Sequence, residues 1–461
     1  MLAICCSSLL LVSLDTTIVN VALPSIHRDL HASLSELQWT LDAYTLVIAA
    51  LLMLAGSTAD RVGRRRVFQV GLVVFTAGSA LCAVAPSLGF LVGARVLQAV
   101  GASMLNPVAM SIIRNVFEDP RERAQAVGLW GAVVGIATAL GPVLGGVLVD
   151  GPGWRYVFLV NVPIGLIAVV LTRLYVPESR APRARRLDPV GQVLVIVWLA
   201  SLVYAIIEGG KRGWTSPEIV ACFAVALVSF AGLIAYEPRR REPLVEIRFF
   251  RSVSFSGASA IAVCAFAAMG GALFLGTLYL QSVRGFSALH AGLYSLPMAL
   301  MMLILAPLSG RIVGTRGSRW PLVLAGAFLT AAPLLLVRLD VRTSTTVLIA
   351  AYLLTGTGMG LVNPPITTTA ISGMPADQAG VAAAIASTSR QVGFALGVAV
   401  VGALTGAGAV RHFGPSFATA THPGWAFISG LGVVILVLGA VTSSRWALGT
   451  ARRTAARLAL E

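Results

Sequence analysis

The sequence predicts an all-α polytopic membrane protein. It should have fourteen transmembrane helices, in two parallel six-helix bundles with an inserted pair between them. Three observations predict this. The 461 residues are 57% hydrophobic and only 11% charged, with a mean hydropathy of +0.86. Soluble domains carry roughly 25% charged residues. Charge is shared unequally between alternate connections, and stretches of the first half recur in the second.

The apolar windows reach the roughly 20 residues that a bilayer-crossing helix needs. They run over about 3–24, 39–58, 67–85, 88–112, 125–149, 154–176, 189–207, 217–236, 254–281, 289–309, 320–337, 345–369, 380–408 and 424–444, with ends uncertain by a few residues. The first window has no basic n-region and no A-x-A site, so it reads as a retained helix, not a cleaved signal. With the N-terminus in the cytoplasm, the cytoplasmic connections hold 23 of the 34 basic residues. They include Arg61 and Arg64–Arg66; Arg114, Arg121 and Arg123; Arg180, Arg183, Arg185 and Arg186; Arg239–Arg241, Arg248 and Arg251; Arg311, Arg316 and Arg319; and Arg445, Arg452, Arg453 and Arg457. Eight fall outside, Arg411 among them, and Arg95, Arg173 and Arg390 fall within spans. This is the positive-inside pattern. It explains the net charge of +15 without nucleic acid, for which no basic domain with interleaved aromatics exists. The five cysteines lie in or beside apolar windows and form no metal spacing or disulfide framework. The five histidines pair no better.

The internal repeat rests on three matches. "RVLQAVGASMLNP" (95–107) faces "YLLTGTGMGLVNP" (352–364) at an offset of 257. "GSTADRVGRRR" (56–66) faces "GRIVGTRGSRW" (310–320) at 254, and "DPRERAQAVG" (119–128) faces "MPADQAGVAA" (374–383) at 255. Three matches in one order at nearly one offset relate spans 1–6 to spans 9–14 as parallel repeats. The expected domains are therefore 1–180, an inserted pair 181–240, a cytoplasmic linker 241–252, a second bundle 253–445 and a cytoplasmic tail 446–461. The linker "EPRRREPLVEIRFFRS" reads as charged connection without chemistry. Parallel repeats of this kind hold a substrate at their interface near mid-membrane.

Charged groups inside spans are expensive, and they usually pair or line water. Asp15 stands in the middle of "SLLLVSLDTTIVNVALP" (8–24), Asp42 near the outer end of span 2, and Arg95 inside span 4. The repeat partner of Arg95 is Tyr352, so the fold itself does not require an arginine there. Burial disfavours a charged carboxylate and a nearby arginine favours it, so Asp15 is suited to take up and release protons. The same carboxylate suits contact with a cationic substrate. Asp42, beside Trp39 and Tyr44, also fits a plain interfacial acid. In span 5, Gly131, Gly135 and Ala139 are four apart, as are Gly141 and Gly145, and Pro142 and Gly146. Such spacing lets helices pack backbone to backbone, and Pro142 frees a carbonyl. Asn20, Gln98, Asn106, Tyr279, Gln281 and Asn363 are polar candidates for a substrate cavity.

Five stretches, in order, then resemble one family. They are "LDTTIVNVALP", "GSTADRVGRRRVF", "ARVLQAVGASMLNP", "GIATALGPVLGGVL" followed by "WRYVFLVNVPIG", and "LYLQSVRGFSALHAGLYSLP". Across essentially its whole length the chain resembles the fourteen-span drug:proton antiporters of the major facilitator superfamily. The resemblance implies a major facilitator fold. It implies that Gly56, Asp60, Arg61, Gly63, Arg64 and Arg65 form a conformational latch, where a bare topology anchor is the plainer reading. It implies proton coupling at Arg95 together with Asp15 and Asp42. It also implies that Gly135, Gly141, Pro142, Gly145 and Gly146 form the antiporter motif, where packing alone is the plainer reading. The expected activity is proton-coupled export of small amphipathic or cationic compounds by alternating access. The alternative is a dedicated exporter of one metabolite or self-made antibiotic. No nucleophile, base or metal cluster within the spans points to an enzyme, no loop has room for a sensor domain, and no Walker motif points to ATP. No cofactor and no metal are expected. The expected partners are a small-molecule substrate, protons and the lipid bilayer, with the chain a monomer in a bacterial inner membrane and both termini cytoplasmic.

Overall fold

The structure is a computed structural model that describes all residues except 118, 182–186, 241, 373, 375–377, 407–413 and 461. Arg183, Arg185, Arg186, Arg241 and Arg411 thus lie outside the described residues, as do the Gly131 position and the side chains of Arg114, Arg121, Arg123, Arg445 and Arg457. Parts of the 119–128 and 374–383 match fall there too.

The described elements are helical throughout. In order they are α1 (Leu2–Leu30), α2 (Leu34–Val62), α3 (Arg64–Ala83), α4 (Leu88–Val116), α5 (Pro120–Asp150), α6 (Tyr156–Leu159), α7 (Asn161–Tyr175), α8 (Pro189–Arg212) and α9 (Pro217–Tyr236). Then follow α10 (Val253–Leu278), α11 (Ala288–Tyr294), α12 (Leu296–Arg316), α13 (Arg319–Leu334), α14 (Thr345–Ile371), α15 (Ala379–Gly406), α16 (Pro415–Ala420), α17 (His422–Thr442) and α18 (Arg445–Leu460). The 237–252 linker holds two short 3-10 turns, Glu237–Arg239 and Ile247–Arg251.

The span count corrects the sequence expectation. Twelve helices among the described residues are long and apolar enough to cross a membrane, not fourteen. Two expected spans, 125–149 and 320–337, yield only the shorter apolar stretches Gly135–Asp150 and Arg319–Leu334. Arg319–Leu334 rises about 24 Å at 1.5 Å per residue, less than the roughly 30 Å hydrocarbon core, while Gly135–Asp150 belongs to the 31-residue helix α5. A hydropathy window counts any apolar run, and the run at 320–337 forms a helix of only 16 residues, α13.

The chain divides into two compact units, residues 1–192 with 285–293, and residues 193–284 with 294–461. In the first, the starts of α2 and α4 are explained locally. Ser33 and Glu36 form a capping box on α2, with the Ser33 N–H donating to Glu36 Oε2 at 2.7 Å. Ser87 accepts from the Phe90 N–H at the start of α4. The α2–α3 turn passes through Gly63 at φ +128, a conformation L-residues rarely adopt. Here α5 packs on α1, α4 on both α2 and α3, and α7 on α3. Phe68, Leu72, Phe75, Leu105 and Ile112 belong to the core they enclose.

Inside the second unit α15 packs on α10, α14 on both α12 and α13, and α17 on α13. The pattern of neighbours is the same, helix for helix, as the repeat offset requires. The helices α8 and α9 lie outside that correspondence, and the rings of Trp198 and Phe230 join them at 4.7 Å. Large apolar side chains also point outward, such as Ile167 on α7 and Leu227 and Val228 on α9. An apolar surface on this scale needs lipid around it.

Candidate functional site: a buried charge cluster

The first unit buries an arginine and an acid together. Arg95 on α4 and Asp15 on α1 are 1% and 0% exposed and form an ion pair through Nη1 and Oδ2. Every other group of the cluster serves this pair. The second carboxylate oxygen, Oδ1, accepts from Gln98 Nε2 at 2.8 Å and from Asn161 Nδ2 at 3.1 Å. Arg95 Nη1 also donates to Gln98 Oε1 at 2.7 Å, and Nε donates to the Thr40 carbonyl at 3.1 Å. Ser79 Oγ accepts from both Gln98 Nε2 and Asn161 Nδ2 at 3.1 Å and donates to the Phe158 carbonyl at 3.0 Å. The Tyr44 ring covers the guanidinium at 4.0 Å from its centroid, a cation–π contact strengthened by the burial of both groups.

Helix geometry explains the assembly. Arg95 and Gln98 are three apart on α4 and so share one face. That face meets α1 at Asp15, α3 at Ser79 and the start of α7 at Asn161. Burying such a pair costs desolvation that its hydrogen bonds offset, and removing one partner leaves an uncompensated buried charge.

The structure thus joins Asp15 and Arg95, and it moves Gln98 from a cavity candidate into their network. Asp42 on α2 is fully buried but apart, with neither carboxyl oxygen partnered among the described residues. Asn20, on α1, is buried and donates to the Thr16 carbonyl at 3.1 Å. Asn106 on α4 and Asn363 on α14 are half-buried, while Gln281 sits half-buried in a π-turn over Tyr279–Val283. Tyr279 is buried, with its hydroxyl donating to the Asp340 carbonyl at 2.6 Å. Sequence reading missed Thr40, Tyr44, Ser79, Phe158 and Asn161 as cluster members. Asn161 left a signal, an amide inside the apolar run "YVFLVNVPIG".

The α2–α3 turn is tied from both sides. Arg64 donates to Asp60 Oδ1, from Nη2 at 3.0 Å and Nε at 3.2 Å. The segment after α7 then closes on the turn. Glu178 Oε1 accepts from the Arg65 N–H at 3.1 Å, and Oε2 lies 3.5 Å from Arg66 Nε. The Arg64 N–H donates to the Ser179 carbonyl at 2.9 Å, and the Ala181 N–H to the Asp60 carbonyl at 3.1 Å. A Cβ at Gly63 would lie 2.6 Å from Glu178 Oε1, so the bare glycine admits the carboxylate. Glu178 is a turn partner that the sequence reading did not single out. Gly56 lies against Pro107, and Arg61 is exposed.

On α5 the small residues receive α1. A Cβ at Gly141 would lie 2.9 Å from Thr17 Cβ, and one at Gly145 would lie 2.8 Å from Ile18 Cγ1. Gly146 takes the backbone at Ala288, with its carbonyl oxygen 2.8 Å from such an atom. Pro142 is buried and Gly135 half-buried on the same helix.

Comparison with known proteins follows this geometry. The chain is 40% identical over 399 residues to the multidrug resistance protein Stp of Mycobacterium tuberculosis, covering 87% of this chain and 74% of that one. It is 37% identical over 417 residues to the tetracenomycin C resistance and export protein of Streptomyces glaucescens, covering 90% and 77%. A solved bacterial homologue of the human drug peptide transporters PepT1 and PepT2 shares the fold, with a TM-score of 0.69 at 14% identity over 98% of each chain. The model of the major facilitator superfamily matches residues 5–398: the chain belongs to the major facilitator superfamily, a multi-pass membrane transporter whose relatives include multidrug resistance and antibiotic export proteins.

Proposed function

We propose that the chain is a drug:proton antiporter, exporting small amphipathic or cationic compounds by alternating access across a bacterial inner membrane. The carrying observation is the buried Asp15–Arg95 pair, held by Gln98 and Asn161 inside the first unit. A buried acid balanced by one arginine exchanges a proton only when the balance is disturbed. That couples protonation to a change of state, with roughly 2.3 kcal/mol available per charge per 100 mV. Asp42 is a second acid on the proposed route. In this reading the Asp60–Arg64 pair and Glu178 hold one conformation as a latch. Gly135, Gly141, Pro142, Gly145 and Gly146 let α1 and α5 slide without parting, and Asn20, Asn106, Tyr279, Gln281 and Asn363 offer polar contacts to cargo. The chain acts as a monomer with both termini cytoplasmic.

The second reading is a dedicated exporter of one self-made antibiotic. The Streptomyces glaucescens relative, named for one compound, favours it.

The test is ethidium or Hoechst efflux in inverted membrane vesicles with pH followed in parallel, for wild type and Asp15→Asn at matched expression. Dye movement only with a proton gradient, and loss of both fluxes in the variant, is the expected result. Dye movement by Asp15→Asn at the wild-type rate sinks the coupling role. A wild type inert to a broad dye panel favours the dedicated exporter.

A further inference from the structure

Arg95 has a carboxylate inside the membrane, and Arg390 has none. Arg390 stands on α15, eleven residues beyond its first residue, Ala379, a rise of about 16 Å. Arginines near helix ends snorkel to the interface, and this one lies far from either end. At the 255-residue offset that relates α5 to α15 it corresponds to Gly135, so the fold does not require a charge here.

Its surroundings are neutral. Nη2 donates to the Thr367 hydroxyl of α14, and the Phe266 ring of α10 has its centroid 5.9 Å from the guanidinium carbon. Nε is buried without an acceptor among the described residues. Among those residues no carboxylate forms an ion pair with Arg390. A hydroxyl and a ring face stabilise a cation without neutralising it, and an uncompensated charge inside a span is costly. Arg390, Thr367 and Phe266 are each half-buried, so all three keep surface that a visiting molecule reaches.

The missing counter-charge therefore comes from outside the chain. A lipid phosphate does not supply it, because headgroups lie beyond the roughly 30 Å hydrocarbon core and Arg390 is deep within a span. An arginine holds a carboxylate by charge-assisted N–H bonds, and the Phe266 ring offers an aromatic body a surface to stack on.

We propose that Arg390, with Thr367 and Phe266, binds the negative group of a small amphipathic anion, an aromatic carboxylate in its simplest form. The site lies wholly within the second unit. It rests on the export reading, for which it names a class of cargo, and its test involves neither a proton gradient nor Asp15.

The test is equilibrium dialysis of radiolabelled 9-anthroate against the purified full chain in phosphatidylcholine nanodiscs, with empty nanodiscs subtracted. The expected result is saturable binding that Arg390→Gln weakens at least tenfold, the worth of a hydrogen bond to a charged group. Arg390→Lys, which keeps the charge and loses the planar fork, weakens it about threefold. Methyl 9-anthroate, the same body without charge, binds wild type at least tenfold more weakly and is insensitive to Arg390→Gln. The cation 9-(aminomethyl)anthracene does not displace anthroate, and adding phosphatidylglycerol to the nanodiscs leaves its affinity unchanged. No saturable binding overturns the proposal and leaves water around Arg390. Equal affinity in Arg390→Gln overturns it too, as does an ester that loses as much as the acid, which would make the arginine a packing residue. Competition by phosphatidylglycerol would assign the counter-charge to a lipid instead. Should Arg390→Gln fail to fold, Arg390→Lys with the acid–ester pair decides alone.

Discussion

The two units place the same helices around two opposite interiors. Where α1, α3, α4 and α7 converge, Asp15, Ser79, Arg95, Gln98 and Asn161 bond one another. Where α10, α14 and α17 converge, Ala272, Tyr352, Thr355 and Trp425 leave a recess. Helix packing is the same in both, so the fold does not require charge at this place. What the difference teaches is that the charge in the first unit is kept at a cost the second unit avoids at this place.

The sharpest way to break this comparison is to unbalance the charged side. Arg95→Gln leaves the Asp15 carboxylate buried without its cation, and should destabilise the chain by about 3–5 kcal/mol. Tyr352→Phe, at the corresponding place, should change stability by less than about 1 kcal/mol. Thermal unfolding of both variants in one detergent compares them, and equal midpoints would remove the distinction.

Next in size is a transplant. Tyr352→Arg buries a cation against an apolar wall and should destabilise by roughly 3 kcal/mol. Adding Ala272→Asp should recover about 1–2 kcal/mol, read as the coupling in a double-mutant cycle. Zero coupling would mean that the two places are not equivalent in geometry.

A smaller effect tests the amides. Asn161→Ala removes one donor to the Asp15 carboxylate and should cost about 1.5–3 kcal/mol, the range for hydrogen bonds to charged groups. Thr355→Val, which loses only a bond within its own helix, should cost less than about 1 kcal/mol. Denaturation midpoints in the reverse order would show that the amides merely fill space.

The smallest effect lies at the α2–α3 turn. Glu178 is partly exposed, so its pairs with Arg65 and Arg66 are screened by solvent. Glu178→Gln should lower stability by less than about 1 kcal/mol, with the wild-type advantage shrinking as salt rises. In the vesicle assay the same change should alter dye-export rate more than unfolding temperature does, as a latch would. An export rate tracking stability alone would make the turn a plain anchor.

Much of this was legible before any coordinates. Helices depend on bonds four residues apart, so apolar windows and short caps such as Ser33 with Glu36 announce them locally. The same windows read fourteen spans where twelve described helices are long and apolar enough to cross a membrane, since average hydropathy does not set the length of a helix such as the 16-residue α13. Asp15 and Arg95 stood out as charges in apolar runs, and the offset of 257 marked Tyr352 as the arginine's counterpart.

Partnership was not legible, because it joins residues 80 apart in the chain. Asp42 also stood out as an acid in an apolar span, yet Asp15 is the one that pairs with Arg95 of α4. Gln98 read as a cavity residue until three neighbouring helices closed around it, and Ser79 and Asn161 are common residues whose meaning comes from what they touch. The recess leaves no sequence trace at all. It is the space remaining when Tyr352, Ala272 and Trp425 pack as far as their shapes allow. The sequence by itself determined the helices, their repetition and the buried charges. Only the tertiary structure decided which charges meet and where no atoms lie, since helix formation is local while pairing and packing depend on how distant helices cross.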